Sequence, residues 1–370
     1  MAVYDSIMRA LLYGASLTLL YTLYGIYYRL YLSPLSKYPG PKLAALTSWY
    51  EFYFDIVQYG RFPWEVQRLH DIYGPVIRIS PTEIHVRDPD FFNELMTTSS
   101  RPRDKTEFLA GLLGQKSIFG TVPHELHRLR RSALDSYYSK KSVTAVEPLV
   151  QGKVDELCDR LSEYVGTQDV VSLNAAFTAL ALDVVSEHAF GRTYGLLKKP
   201  GFDPEWYLML YKTMEMFPLA RCLLWLPAIV KRIPPKMRNW LNKELAFSWN
   251  LEAEIRSNVN EVKRNYGAGQ TKKSLHKSVF EELLDSDLPP EEKTVDRLSD
   301  EGFIIIIAGG DVSAQNLAML SYELLTHPEI LKTLKNELHQ ARAGSNARLT
   351  WQELEQLPFL VGLKKPSTGV

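Results

Sequence analysis

The sequence predicts a mainly α fold with a small β region, carried behind an N-terminal transmembrane helix. Three observations predict it. Residues 10–28 contain no charged side chain, which meets the roughly 20-residue length of a membrane span. Residues 297–326 form one long apolar-centred run that stops before Pro328. Only two short runs, 76–80 and 83–87, are rich in β-forming residues.

Composition sets the outer bounds. With 45% hydrophobic residues, 20 Tyr and 7 Trp, the 370-residue chain can bury a large core in one large domain or two smaller ones. Basic and acidic residues balance at 43 each, so nothing points to nucleic acid. The two cysteines, Cys158 and Cys222, are too far apart in so long a chain to form a disulfide framework. That usage fits a reducing, cytosol-facing environment.

Residues 1–33 read as a retained anchor. Arg9 and Arg29 flank the uncharged stretch. Signal-peptide cores are shorter and end in a small-residue cleavage site. Arg29, Lys37 and Lys42 follow the span, and the positive-inside rule then places the bulk of the chain in the cytoplasm. An amphipathic surface helix is the alternative, and the uncharged stretch is too uniformly apolar for it. Residues 34–41 hold Pro34, Pro39, Gly40 and Pro41, a stiff and turn-rich hinge.

The body begins at residue 42. Residues 62–73 and 89–97 read as helices, and 76–80 and 83–87 as a hairpin turning at Ser80, Pro81 and Thr82. Residues 124–139 read as a basic helix with Arg128, Arg130 and Arg131. His127 and Arg131 lie four apart and share a face, and arginine binds carboxylates through a planar fork. Such a face suits a dianionic ligand. A solvated basic face is the ordinary alternative. Residues 143–286 are mostly amphipathic helix, with a polar glycine-containing loop at 265–273. Residues 206–235 are rich in Met, Leu and Trp, which ordinary core packing would also produce.

The long helix has Ser299 as its expected N-cap, followed by Asp300 and Glu301 in the first turn, where the dipole favours acids. From residue 300 to 326 it would span roughly 40 Å. Ile304 to Ile307 are apolar on all sides and predict burial all round. Gly309 and Gly310 cost on the order of 1 kcal/mol each relative to alanine. Asp311 beside them costs more unless partnered. Something therefore lies against the glycine face. It is either a ligand or a closely packed helix, with Asp311 at a watery edge in the second case.

Ala308-Gly309-Gly310-Asp311-Val312-Ser313 resembles the oxygen-binding motif of the cytochrome P450 haem-thiolate monooxygenases. The string from Tyr73 to Val86, with Gly74, Pro75 and Pro81 in place, is similar to fungal members of that family. So are residues 137–139, residues 175–191 with Asp183, and residues 280–290 before the long helix. The resemblance implies an incomplete cytochrome P450-like fold over residues 42–363. It implies haem b as cofactor, with His127 and Arg131 holding a propionate, Arg128 assisting and His124 a weaker partner. It implies that Ala308, Gly309 and Gly310 face the haem and that Asp311 relays protons. The family's alcohol position falls on Val312, which leaves Ser313, about 100° further round the helix, as a substitute. It implies that residues 206–235 roof the substrate cavity and touch the membrane. It also implies an apolar small-molecule substrate, NADPH-cytochrome reductase as electron donor, and single-pass residence in the endoplasmic reticulum membrane.

The resemblance stops near residue 363, roughly two thirds along a complete family member. Residues 357–363 look like the start of the family's next helix, whose Glu and Arg positions fall on Pro366 and Gly369. Residues 364–370 read as a divergent tail. Neither Cys158 nor Cys222 sits in a phenylalanine- and glycine-rich loop, so no axial metal ligand is expected here. Two functions follow as expectations. One is an impaired or inactive relative of a monooxygenase of fungal secondary metabolism, of the terpenoid or polyketide tailoring kind. The other is a non-catalytic, membrane-tethered helical binding protein. No phosphate loop, zinc spacing, Gly-x-Ser-x-Gly or His-Glu-x-x-His is present.

Overall fold

A computed structural model describes residues 2–96, 101–106, 114–223, 225–234, 237, 243–269, 277–343 and 348–364. The expected loop positions 270–273, and Pro366 and Gly369, lie outside the described residues. The chain divides into two compact units, Met1–Arg103 with Glu215–Arg232, and Asp104–Met214 with Ile233–Val370.

In the first unit, helix α1 (Ala2–Tyr27) runs into a single π-helical turn, Tyr28–Leu32. Almost every described side chain of α1 is exposed, including Leu17, Leu20 and Leu23. Residues 34–41 lead to α2 (Lys42–Leu46) and then α3 (Phe62–Tyr73). The hairpin follows as β1 (Val76–Arg78) and β2 (Ile84–Val86), antiparallel with Val76 opposite Val86. Both strands are shorter than expected, because Ile79 and Ser80 donate back to the Glu83 carbonyl and close the turn early. Helix α4 (Pro89–Leu95) comes next, capped by the Asp88 side chain. A small core of Phe62, Val66, Leu69, Ile77 and Ile79 joins α3 to β1. Buried Glu51 and half-buried Glu83 both pair with Arg221, from the returning segment of this unit.

The second unit is helical. Its main elements are α5 (His124–Ser132), α6 (Glu147–Ser162), α7 (Leu173–Phe190), the first part of α8 (Glu205–Cys222), α9 (Lys243–Gly267), α10 (Val279–Asp285), α11 (Val295–Thr326), α12 (Pro328–Arg342) and α13 (Pro358–Lys364). Helix α11 packs chiefly on α7 and then on α9. Leu182, Leu210, Ile255, Phe280, Leu298 and Ile306 fill the core around it.

Three boundaries differ from the sequence reading. Helix α11 starts at Val295, because Thr294 caps it by accepting from the Arg297 amide. Ser299 therefore lies inside the helix, buried, with its hydroxyl unpartnered. The basic helix ends at Ser132, and Ser139 then caps a new helix, Lys140–Ala145. Helix α9 continues through Asn265 and Tyr266 to Gly267, where a loop was expected.

A buried charge network holds the start of α11. Arg297 is 2% exposed and donates to Glu301 at 2.6 Å, with its Nε 3.4 Å from Glu292. Arg130 donates twice to Glu292, at 2.6 and 2.8 Å, and once to Thr121 Oγ1 at 2.7 Å. Burial pushes the Glu292 carboxyl up, and Arg130 and Arg297 more than offset it, so its pKa stays below the usual range. At the other end of the unit, Glu337 accepts from the Phe359 and Leu360 amides and so caps α13.

Candidate haem-side site

The site begins with the loop before α5. Lys105 Nζ donates to the Ile118 and Phe119 carbonyls at 3.0 and 3.1 Å. Residues 116–118 then tie to α11. The Lys116 amide donates to Asp300 at 2.8 Å, and the Ile118 amide to Glu301 at 2.9 Å. The base of α5 and the start of α11 are thus joined through one loop.

On α5, His127 is half-buried. Burial, then the charges of Lys105, His124 and Arg131, hold its pKa below the ordinary range. Three basic groups therefore lie around one imidazole. His124 Nε2 is buried and has no hydrogen-bond partner. A basic cluster with an orphaned donor-acceptor atom is the environment a bound carboxylate completes. Arg131 is exposed, pairs with Asp135 at 3.1 Å and lies over the Tyr138 ring. Arg128 is exposed and pairs with Glu125 at 3.0 Å. The middle arginine of the run, Arg130, is the buried one. Sequence spacing offered no sign of this, since its partner Glu292 lies far along the chain.

On α11, the two glycines turn to α7. A Cβ at Gly309 would lie 2.9 Å from Val185, and one at Gly310 2.6 Å from Leu182. Their close approach serves helix packing, so their own faces are taken up. The face a quarter turn away is open. It carries half-buried Ile304 and exposed Ala308, Val312, Gln315, Met319 and Tyr322, spaced three or four apart. The burial all round expected at Ile304–Ile307 holds for Ile306 and Ile307, while Ile304 and Ile305 are only partly covered. Asp311 is half-buried and accepts from Gln315 at 2.8 Å. Ser313 is exposed one turn beyond Gly309, off the Ala308–Val312 stripe.

Cys158 is exposed on α6. Cys222, in the first unit, has its thiol pushed up to about 11 by burial and then by Glu51 and Asp55. Among the described residues no three side chains form a metal-ligating group.

This arrangement has counterparts. The cytochrome P450 family model matches residues 45–362. The tryptophan 6-hydroxylase fscE of Fusarium equiseti is 38% identical, over 91% of this chain and 66% of its own length. The conidiogenone synthase PchP450 of Penicillium rubens is also 38% identical, over 91% and 67%. The cytochrome P450 monooxygenase TRI4 of Fusarium sporotrichioides is 34% identical, over 94% and 67%. A crystal structure of a cytochrome P450, CYP102L1, superposes with a TM-score of 0.61 at 13% identity, covering 81% of this chain and 64% of that one. The fold is the cytochrome P450 fold, and this chain belongs to the cytochrome P450 family. It spans about two thirds of the length of the curated relatives it matches.

Proposed function

We propose that these residues form the oxygen-side wall and the propionate cradle of a haem b monooxygenase that hydroxylates an apolar small molecule in fungal secondary metabolism. The observation that carries this is the convergence of Lys105, His124, Arg131 and His127, tied by one loop to the helix bearing the Ala308–Val312 stripe. His127 and Arg131 would hold a propionate, His124 would complete it, and Arg128 would assist once freed from Glu125. Ala308 and Val312 would lie against the haem face. Gly309 and Gly310 would act by seating α11 on α7. Haem, when bound, supplies the chemistry of dioxygen activation. The chain's own part is to hold a proton at the Asp311 carboxyl, oriented by Gln315, and to exclude water along an apolar stripe. Ser313 would join the relay only through solvent, since it lies off the stripe.

Residues 1–33 would anchor the chain in the endoplasmic reticulum membrane, with residues 34–41 as hinge and the body from residue 42 on the cytoplasmic side. NADPH-cytochrome reductase would supply electrons. The exposed apolar length of α1 supports the membrane reading. The hydroxylase and synthase names of the relatives support secondary metabolism, of the terpenoid or polyketide tailoring kind.

A second reading rests on the cysteines. Neither Cys158 nor Cys222 sits in a phenylalanine- and glycine-rich loop, so residues 1–370 by themselves would bind rather than oxidise. Haem titration followed at the Soret band tests the first reading. The double variant His127→Ala/Arg131→Ala is expected to lose at least about a hundredfold in affinity, from two charge-assisted hydrogen bonds of ~1.5–3 kcal/mol each. Unchanged affinity, or no haem binding by the wild-type chain, would overturn the cradle. The reduced carbon monoxide spectrum tests the second. No thiolate-type band is expected from these 370 residues, and such a band would overturn the binding-only reading.

A further inference from the structure

Arg78 is 2% exposed, yet among the described residues its guanidinium bonds only to backbone carbonyls. Its Nε donates to Ser80 O at 3.2 Å, its Nη1 to Arg29 O at 2.7 Å, and its Nη2 to Pro81 O at 2.8 Å and Ala45 O at 3.4 Å. Those carbonyls belong to the β1–β2 turn, the π-helical turn after α1, and α2. Burial, then the charge of Arg29, pushes the Arg78 pKa below the usual arginine range. A buried cation with neutral partners is costly. Only the planar, five-donor fork of arginine can gather so many acceptors at once.

The Arg29 carbonyl is the informative partner. In an α-helical turn it would accept from Ser33, but the Ser33 amide goes to Tyr28 O at 2.8 Å. In a π-helical turn it would accept from residue 34, which is proline and has no N–H. Both of its local donors are gone, and Arg78 supplies the replacement. The hinge closes on the same residue. The Arg78 amide donates to Pro39 O at 2.7 Å, and a Cβ at Gly40 would lie 2.3 Å from Arg78 O. Arg29 reciprocates by donating to Leu46 O.

We propose that Arg78 is a latch that fixes the direction in which α1 leaves the hinge, so that anchor helix, hinge and hairpin form one rigid piece. This rests on reading α1 as the membrane anchor. The test uses the full chain in phosphatidylcholine vesicles and measures tryptic cleavage after Lys37 and Lys42, both exposed in the hinge region. Arg78→Lys keeps the charge and loses the fork. Gly40→Ala keeps Arg78 and drives the hinge from its carbonyl. Each is expected to raise cleavage about tenfold, the equivalent of one charge-assisted hydrogen bond. Pro34→Ala, which returns an N–H to Arg29 O, is expected to slow cleavage of the Arg78→Lys chain part of the way back. A folded Arg78→Lys chain cut at the wild-type rate overturns the latch. If that variant does not fold, Gly40→Ala cut at the wild-type rate overturns it instead. Flotation of the wild-type chain with the vesicles tests the anchor separately, and the same cleavage comparison in detergent micelles tests the latch if flotation fails.

Discussion

Helices α1 and α11 are alike in length and apolar content, and both are long enough to cross a membrane. Their surroundings are opposite. Helix α1 exposes nearly every side chain. Helix α11 buries Leu298, Phe303, Ile306 and Ile307, and carries Arg297 and Glu301 into the core as an ion pair. The lesson is that composition does not separate a span from a core helix. The partners of the charges do. Asp5 and Arg9 near the start of α1 are exposed, whereas Arg297 and Glu301 in the first turns of α11 are buried because they pair with each other and with Glu292.

The sharpest break is at that ion pair. Arg297→Ala leaves Glu301 buried beside an empty site and is expected to cost ~3–5 kcal/mol, read from urea unfolding. A loss below 1 kcal/mol would mean that water already solvates the pair. The matching break in α1 is Leu20→Arg, which puts a charge in the middle of the proposed span. It is expected to cost ~2.5–3.5 kcal/mol in membrane insertion and to move the chain from vesicles to the soluble fraction. The folded body should keep its unfolding midpoint.

Glycines offer a finer contrast. Gly310→Ala meets Leu182 and is expected to cost ~1–3 kcal/mol. Gly25→Ala has nothing within 4 Å, so its effect on unfolding should stay within about 0.5 kcal/mol. Equal effects would contradict the tight seating of α11 on α7.

The smallest expected effect is a pH dependence in the first unit. His70 Nδ1 donates to Gly74 O at 2.8 Å, so its Nε2 accepts from His85 Nδ1 at 2.7 Å when both rings are neutral. Burial, then His70, lowers the His85 pKa. The folded value therefore lies below the ordinary 6.5. The associated stability is complete above that ordinary value and is lost as pH falls through the folded one. His85 is largely exposed, so screening keeps the effect under about 1 kcal/mol. Comparing the wild-type chain with His85→Gln by unfolding at pH 7.5 and about pH 5 reads it, and an identical slope would remove the dyad from the account.

The sequence by itself determined the local elements. The uncharged stretch, the β-rich runs about Pro81 and the stop at Pro328 were all legible, because each depends on residues within a few positions. The basic face of α5 and the closely packed glycine pair of α11 were legible in the same way. Tertiary structure decided which partner each acquired. Arg130 rather than Arg128 went inside because Glu292 meets it there. Thr294 capped α11 and left Ser299 buried. The glycines turned to Leu182 and Val185, and Arg78 took the carbonyl that Pro34 had orphaned. These choices join residues far apart in the chain, and local periodicity carries no record of which distant donor will face which acceptor.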